Sequence, residues 1–294
     1  MKKTIKQLKR IGILGNPEKP AFRTVIRQAV QHIEATGRIA RCDVATARFA
    51  SLKCKTSPSA TQLAKEVDLL VVFGGDGTIL RAARETANSN TPIIGINIGG
   101  LGFLTSASAK DLLGALELVW AGKYTLESRS LIEATGLAGG KKFHHLALND
   151  FVVSRGTQPR LVELEVSVDG QPLTRYRADG LIISSPTGST AYSLAAGGAI
   201  IVPTAKVFSL TPVCAHTLSN RSLVLDFNST IRIKVVSHRA DTVLSGDGQS
   251  LNKLANGDEV TIRRSRHAVR LVHLPGGSFF ETLRAKLHWR GASV

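Results

Sequence analysis

The stretch DLLVVFGGDGTILRAARETA, residues 68–87, decides how the first half of the chain is built. Its apolar run Leu69–Phe73 lacks the alternation of a half-exposed strand and reads as a strand buried on both faces. TILRAARETA then reads as a helix, and Gly74-Gly75-Asp76-Gly77-Thr78 joins the two. Glycines at that density let backbone N–H groups approach a ligand closely, which favours an anion such as phosphate. Asp76 is awkward in such a cradle, because its charge repels the anion that the amides attract. Either it only shapes a turn, or the chemistry at that spot requires a carboxylate.

On either side the same rhythm continues. RIGILGN predicts a strand ending in a turn, and FRTVIRQAVQHIEATG a helix with Phe22, Val25, Ile26, Ala29, Val30 and Ile33 on one face and Gly37 as its stop. RIARCDVA, the helical ATQLAKEV, the strand TPIIGINI and the helix AKDLLGALELVWAG complete the series. Buried strands alternating with helices predict a parallel sheet covered on both faces. Ligands bind such sheets outside the carboxyl ends of the strands, where GGDGT falls. Further on the period changes to two. LVELEVSVDG sets Val162, Leu164, Val166 and Val168 against Glu163, Glu165 and Ser167, and Asp169-Gly170 supplies a hairpin signal. STIRIKVVS, DEVTIRRS and HAVRLVHL are read as further strands separated by turns, giving a mainly antiparallel, sandwich-like half. The amphipathic FFETLRAKLHW is expected to return as a helix onto the first domain. The expected domains are 1–122 (α/β), 123–275 (β-rich) and 276–294 (the returning segment).

The bulk composition narrows the function without naming it. At 294 residues, 43% hydrophobic, the chain is long enough for two cores. Aromatics are only 5%, which disfavours a base-stacking platform. A net charge of +16 predicts attraction to polyanions, or simply a solvated basic surface; the basic residues cluster in MKKTIKQLKR and IRRSRHAVR. The 3 cysteines, Cys42, Cys54 and Cys214, form no Cys-x-x-Cys pair and are read as reduced thiols in a cytoplasmic protein. No apolar run reaches the ~20 residues that span a bilayer. Neither a Walker sequence nor a Gly-x-Ser-x-Gly elbow is present, and the histidines lack metal-site spacing.

Four polar clusters remain: FGGDGTILRAA, LALNDFVVSRG, RADGLIISSPTGSTAYSLAAGG and LSGDGQ. Taken singly, each would serve as a turn or a cap. Together, GGDGT, GINIGGLGFL, LND, DGLIISSPTGSTAYSLAAGG and AHTLSNRSLVL resemble the NAD kinases in order and spacing, from IGILGN to LRAKLHW. GGDGT has relatives in phosphofructokinases and diacylglycerol-type lipid kinases; the long DGLIISSPTGSTAYSLAAGG block is far more specific.

The resemblance implies a phosphofructokinase-like α/β N-terminal domain, an all-β C-terminal domain and a ligand cleft between them. It implies transfer of a phosphoryl group from ATP or polyphosphate to the 2′-hydroxyl of the adenosine ribose of NAD, making NADP. Asp76 would be the catalytic base, which resolves the awkward carboxylate: a hydroxyl nucleophile needs a proton acceptor. Gly74, Gly75, Gly77 and Thr78 would hold phosphate oxygens, with Mg²⁺ bound to the donor and no protein metal ligand assigned. Gly77 would also contact NAD, and Arg81 would meet a phosphate. Asn149 and Asp150 match the family's Asn-Glu pair for ribose and adenine, with Asp one methylene shorter than the usual Glu. Arg160 is a further polar contact. Arg177 and Asp179 would bind near the nicotinamide end, across a subunit interface if the chain is a homodimer or homotetramer. Thr190, Ala191, Tyr192, Ser193, Leu194 and Ala195 would form the nucleotide-lining turn, and Gln249 a late contact. No membrane and no specific nucleic acid are expected as partners. The alternatives are a lipid kinase of the same superfamily and a non-catalytic NAD(P)-binding regulator.

Overall fold

The computed structural model describes residues 8–100, 102–157, 160–216, 221–237 and 241–289. Leu101, the Thr217–Asn220 part of AHTLSNRSLVL and the start of the basic MKKTIKQLKR run lie outside the described residues. The chain divides into two compact units, residues 1–128 with 269–294, and residues 129–268.

The first unit is built on parallel strands. In chain order they are β1 (Arg10–Gly15), β2 (Ile39–Asp43), β3 (Lys55–Ser57), β4 (Leu69–Phe73), β5 (Ile93–Asn97) and the short β6 (Ala107–Ser108). Their spatial order is β5-β4-β1-β2-β3, with β6 beside β5. Alternation along the strands sends Ile11, Ile13, Leu69, Val71, Phe73, Ile94 and Ile96 to one face. There they meet α1 (Phe22–Ala35) and α5 (Leu112–Trp120) in a single apolar core. The opposite face is covered as well. A side chain on Gly12 would strike Leu70, Val67 and Leu63, the last on α3 (Ala60–Glu66), so glycine is what lets that helix lie close. Burial on both faces explains why Leu69–Phe73 carries no polar alternation.

Two details depart from the sequence reading. An additional helix, α2 (Val44–Ala50), follows β2, capped by Asp43, whose carboxylate accepts from the Thr46 N–H at 2.9 Å. The helix after β4, α4 (Asp76–Glu85), starts at Asp76 and not at Thr78, so Asp76 is its first helical residue. Near the C-terminus, α7 (Phe279–Leu287) follows a Ser278 cap and belongs to this unit, burying only Leu283.

The second unit is antiparallel. One hairpin joins β7 (Thr125–Ala138) to β8 (Lys141–Ala147) through Gly139-Gly140, both at positive φ. β9 (Asp150–Arg155), β12 (Gly180–Ser184), β13 (Val207–Val213), β14 (Leu223–Asp226), β16 (Thr242–Gly246) and β17 (Gln249–Leu254) form a sheet in the order β14-β13-β12-β9-β16-β17. A second layer runs β11-β10-β15-β18, from β10 (Val162–Val168), β11 (Gln171–Ala178), β15 (Ile231–Val235) and β18 (Glu259–His273). Their inward side chains, among them Phe151, Val153, Leu164, Val166, Ile183, Phe208, Ile233 and Ile262, share one core. Asp169-Gly170 makes the expected β10–β11 turn, with φ of 52° and 81°. DEVTIRRS and HAVRLVHL, read as two strands, are one: β18 runs unbroken for 15 residues because nothing between Ser265 and His267 breaks extended backbone. α6 (Tyr192–Ala195) is a single turn after the 3₁₀ turn Thr187–Thr190.

Candidate active site

In the first unit, the carboxyl end of β4 passes through Gly74 and Gly75 into the N-terminus of α4. Gly74 is required by packing, since a Cβ there would lie 2.2 Å from the Thr78 hydroxyl oxygen. Gly75 and Gly77 are different. A Cβ on either would meet nothing within 4 Å, so no internal contact demands glycine there. The same holds for Gly99 and Gly100 in GGLGF. Bare backbone at such positions leaves room for an outside group to come close. The N–H groups of Asp76 and Gly77 lie in the first helical turn, which has no intrahelical acceptors for them.

The Asp76 carboxylate is held at both oxygens. It accepts from the Phe103 N–H at 3.0 Å (Oδ2) and from the Leu104 N–H at 3.1 Å (Oδ1). The loop carrying these amides runs against it so closely that a Cβ on Gly102 would sit 2.2 Å from Oδ1. The Gly102 N–H donates to the Thr105 hydroxyl at 2.8 Å, and the Ser106 N–H to the Gly95 carbonyl at 2.8 Å, tying the loop to β5. Asp76 is thus an oriented, half-exposed anion at a helix N-terminus, where the dipole favours its charge. Arg81 lies one turn along α4, with its Nε 3.9 Å from Glu85. It lines a cavity of about 100 Å³ with Thr78, Asp43 and Pro17.

In the second unit, three of the sequence clusters meet. Asn149 and Asp150 enter β9, and the Asn149 carbonyl accepts from the Ser185 N–H at 2.8 Å. Gly188 lies against that same carbonyl; a Cβ on it would be 2.3 Å away. Asp247, in the two-residue turn between β16 and β17, takes the N–H groups of Leu148 (3.1 Å), Asn149 (2.8 Å) and Asp150 (3.4 Å) on its carboxylate. It also donates its own N–H to the Asp150 carbonyl at 3.0 Å. Asp150 is only 3% exposed, and burial first, then the Asp247 charge, pushes its carboxyl up to about 7. Gln249, at the start of β17, is exposed beside this turn.

The remaining predicted residues are dispersed. Thr190, Ala191 and Leu194 are half-buried, Ala195 is exposed, and Tyr192 is 47% exposed. Ser193 is turned inward, its hydroxyl 3.2 Å from that of Thr211. Asp179 is ion-paired to Arg155 at 2.7 Å, and Arg177 is exposed on β11. Both stand at the end of β12 remote from Asp150, about 16 Å away for a five-residue strand. Arg160 is exposed just before β10. Sequence reasoning gave no role to four contributors: the Phe103 and Leu104 amides, Gly102, and Asp247 as the clamp on residues 148–150. Asp247 left a trace as an Asp-Gly turn, and Gly102, Phe103 and Leu104 as the end of GINIGGLGFL, though without a role. The structure also brings Cys42 and Cys54 together, Sγ to Sγ 2.7 Å, which their spacing gave no reason to expect.

Residues 11–124 match the family described as the ATP-NAD kinase N-terminal domain, and residues 148–274 the ATP-NAD kinase C-terminal domain. The chain belongs to the NAD kinase family. Curated NAD kinases from Symbiobacterium thermophilum and Moorella thermoacetica are each 41% identical to it. The first alignment covers 94% of this chain and 98% of the relative, the second 97% and 91%. The NAD kinase of Methylibium petroleiphilum is also 41% identical, over 95% of this chain and 94% of its own. Among solved structures, yeast NADH kinase complexed with NADH superposes with a TM-score of 0.89 at 27% identity, over 99% of this chain and 90% of that one. An NAD kinase from Archaeoglobus fulgidus in complex with ATP shares the fold, with a TM-score of 0.73 at 24% identity over 96% of this chain and 100% of its own. These relatives lend no support to the lipid-kinase alternative. Among the described residues, no helix is long and apolar enough to cross a membrane.

Proposed function

We propose that this member of the NAD kinases transfers the terminal phosphoryl group of ATP to the 2′-hydroxyl of the adenosine ribose of NAD, with Asp76 as the base. The observation that carries this reading is the Asp76 carboxylate, fixed by two backbone amides at a helix N-terminus beside glycines whose Cβ directions are open. As the ribose oxygen bonds to the terminal phosphorus, the bond from phosphorus to the bridging oxygen breaks and ADP leaves. The hydroxyl proton passes to Asp76. A positioned base of this kind contributes about 10²–10⁴-fold. Because Phe103 and Leu104 each take one lone pair, the carboxylate keeps others for the hydroxyl and stays in one orientation while it does so.

The amides of Asp76 and Gly77, with Thr78 and Arg81, are assigned to phosphate oxygens. Among the described residues, no group of three or more His, Cys, Asp and Glu side chains is arranged to hold a metal ion. Mg²⁺ is assigned to the donor phosphates, where it would offset negative charge. Asn149 and Asp150 are assigned to the adenosine ribose and adenine, with Thr190–Ala195 lining the same nucleotide. The clamp by Asp247 and the close approach of Gly188 favour this, since both fix the backbone at 148–150. Arg177 and Asp179, at the far end of β12, are assigned to the nicotinamide end. Gln249 and Arg160 are assigned as outer contacts.

The test is NADP formation from NAD and Mg²⁺ with either ATP or polyphosphate, read through an NADP-specific dehydrogenase. Rapid NADP formation with ATP is expected; polyphosphate turnover at a matching rate would widen the donor. Folded protein that makes no NADP from either donor would overturn the reading.

A further inference from the structure

The C-terminal helix has no place in the chemistry above, yet it touches the loop that holds Asp76. Its first residue, Phe279, sets its ring against that of Phe103, centroids 6.0 Å apart and planes tilted by 45°. Phe280 meets Phe279 edge-on at 5.5 Å, extending the cluster, and is itself 56% exposed. Phe103 is the residue whose N–H holds Oδ2 of Asp76.

We propose that Phe279 is a positioning residue for the phosphoryl transfer: its ring seats Phe103, and through it the backbone amides that orient the Asp76 carboxylate. This rests on the reading of Asp76 as the base.

The loop is fastened at several points, and the ring is the one that acts on Phe103 itself. Behind it, the Ser106 hydroxyl donates to the Val272 carbonyl and the Ser106 N–H to Gly95, while Gly102 in front is tied inward, to Thr105. Gly102 cannot carry a side chain without striking Asp76, so it adds no packing of its own. Between these points Leu104 is anchored by its own buried side chain and by its N–H to Asp76, while the Phe103 ring, only half-buried, seats the residue on the other side of that anchor and so bears on the direction of the Phe103 N–H. The face it rests on comes from α7, which buries only Leu283 and so has little other reason to sit there. An aromatic contact of this geometry stabilises only modestly beyond burial. That is too little to decide whether the chain folds, but enough to decide where one amide points.

The experiment uses the full chain and compares Phe279→Ala, Phe279→Tyr, Phe103→Ala and the double alanine variant with Asp76→Asn. Phe103→Ala keeps the N–H and removes only the ring. Phe279→Ala is expected to lower kcat about 10-fold with KM for NAD within about twofold, as for a base displaced by a fraction of an ångström. Phe279→Tyr should restore kcat to near wild type. Phe103→Ala should match Phe279→Ala, and the double variant should lose no more than either one, because the two rings form a single contact. A purely structural role would lower the melting temperature and leave kcat unchanged well below it. Wild-type kcat in Phe279→Ala, beside a collapsed Asp76→Asn, would overturn this proposal and leave the base reading standing. Wild-type kcat in Asp76→Asn would remove the base reading and this proposal with it.

Discussion

Asp76 and Asp150 each open a secondary-structure element, Asp76 in the α/β unit and Asp150 in the β unit, and their surroundings are opposite. Asp76 is half-exposed, lies at the positive end of a helix, and takes a backbone N–H on each oxygen. Asp150 is buried, and Asp247 beside it spends its own carboxylate on the amides of residues 148–150. In one case backbone hydrogen bonds fix a carboxylate's direction; in the other, burial and a like charge make the charge costly. The first arrangement suits a group that must stay anionic and aimed. The second suits one that waits for a polar ligand to satisfy it, which is how the two would divide catalysis from binding.

The contrast can be broken most severely at Gly102. Gly102→Ala places a methyl 2.2 Å from Oδ1 and should cost kcat about 10²-fold through displacement of the carboxylate. Gly75→Ala, whose Cβ meets nothing inside the protein, should leave thermal stability unchanged and act only on the affinity for ATP. Steady-state kinetics and melting curves on both variants check this; equal losses of stability would contradict it.

Asp150 gives a smaller, pH-dependent effect. Its folded-state carboxyl is raised from the ordinary carboxylate range to about 7, so the folded protein holds a proton that the unfolded chain releases. The stability that this proton contributes is complete below the ordinary range and is lost as pH rises through about 7. The displacement bounds the loss at roughly 4 kcal/mol. Asp150→Asn, neutral at every pH, should therefore melt several degrees above wild type at pH 8, with the gap narrowing as pH falls and closing only once it reaches the ordinary carboxylate range. Parallel melting curves at all pH values would remove the buried charge from the account.

The smallest effect repeats the contrast between two thiols. The hydrogen bond to Cys54 and then burial push the Cys42 thiol up, while the same bond pulls the Cys54 thiol down. Cys54 should accordingly alkylate several-fold faster than Cys42 near neutral pH, followed by mass spectrometry of the intact chain. Equal rates would show that the pair does not share its proton.

Much of this was legible in the sequence because the signals are local. Leu69–Phe73 could only be a doubly buried strand, and Asp169-Gly170 could turn where it does because both residues reach positive φ. The glycine-wrapped carboxylate pointed to its own site. What escaped depends on contacts far apart along the chain. Asp76 is oriented by amides 27 and 28 residues away, and Leu148–Asp150 by a carboxylate nearly 100 residues later. Neither pairing leaves a periodicity. The long β18 was split because its middle, RRSRH, looks like a polar turn; in the structure it is extended backbone with Arg263 paired to Glu133. The inward Ser193 was indistinguishable from its outward neighbours for a similar reason, since its partner Thr211 lies on β13.

The division of labour is tested most directly by measuring NAD affinity and phosphoryl-transfer rate side by side on Asp76→Asn and Asp150→Asn. Asp76→Asn should bind NAD within a few-fold of wild type and lose about 10²–10⁴-fold in rate at saturation. Asp150→Asn should weaken NAD binding while largely keeping the rate at saturation. An Asp76→Asn enzyme that turns over normally, or that loses NAD binding along with its rate, would contradict that division.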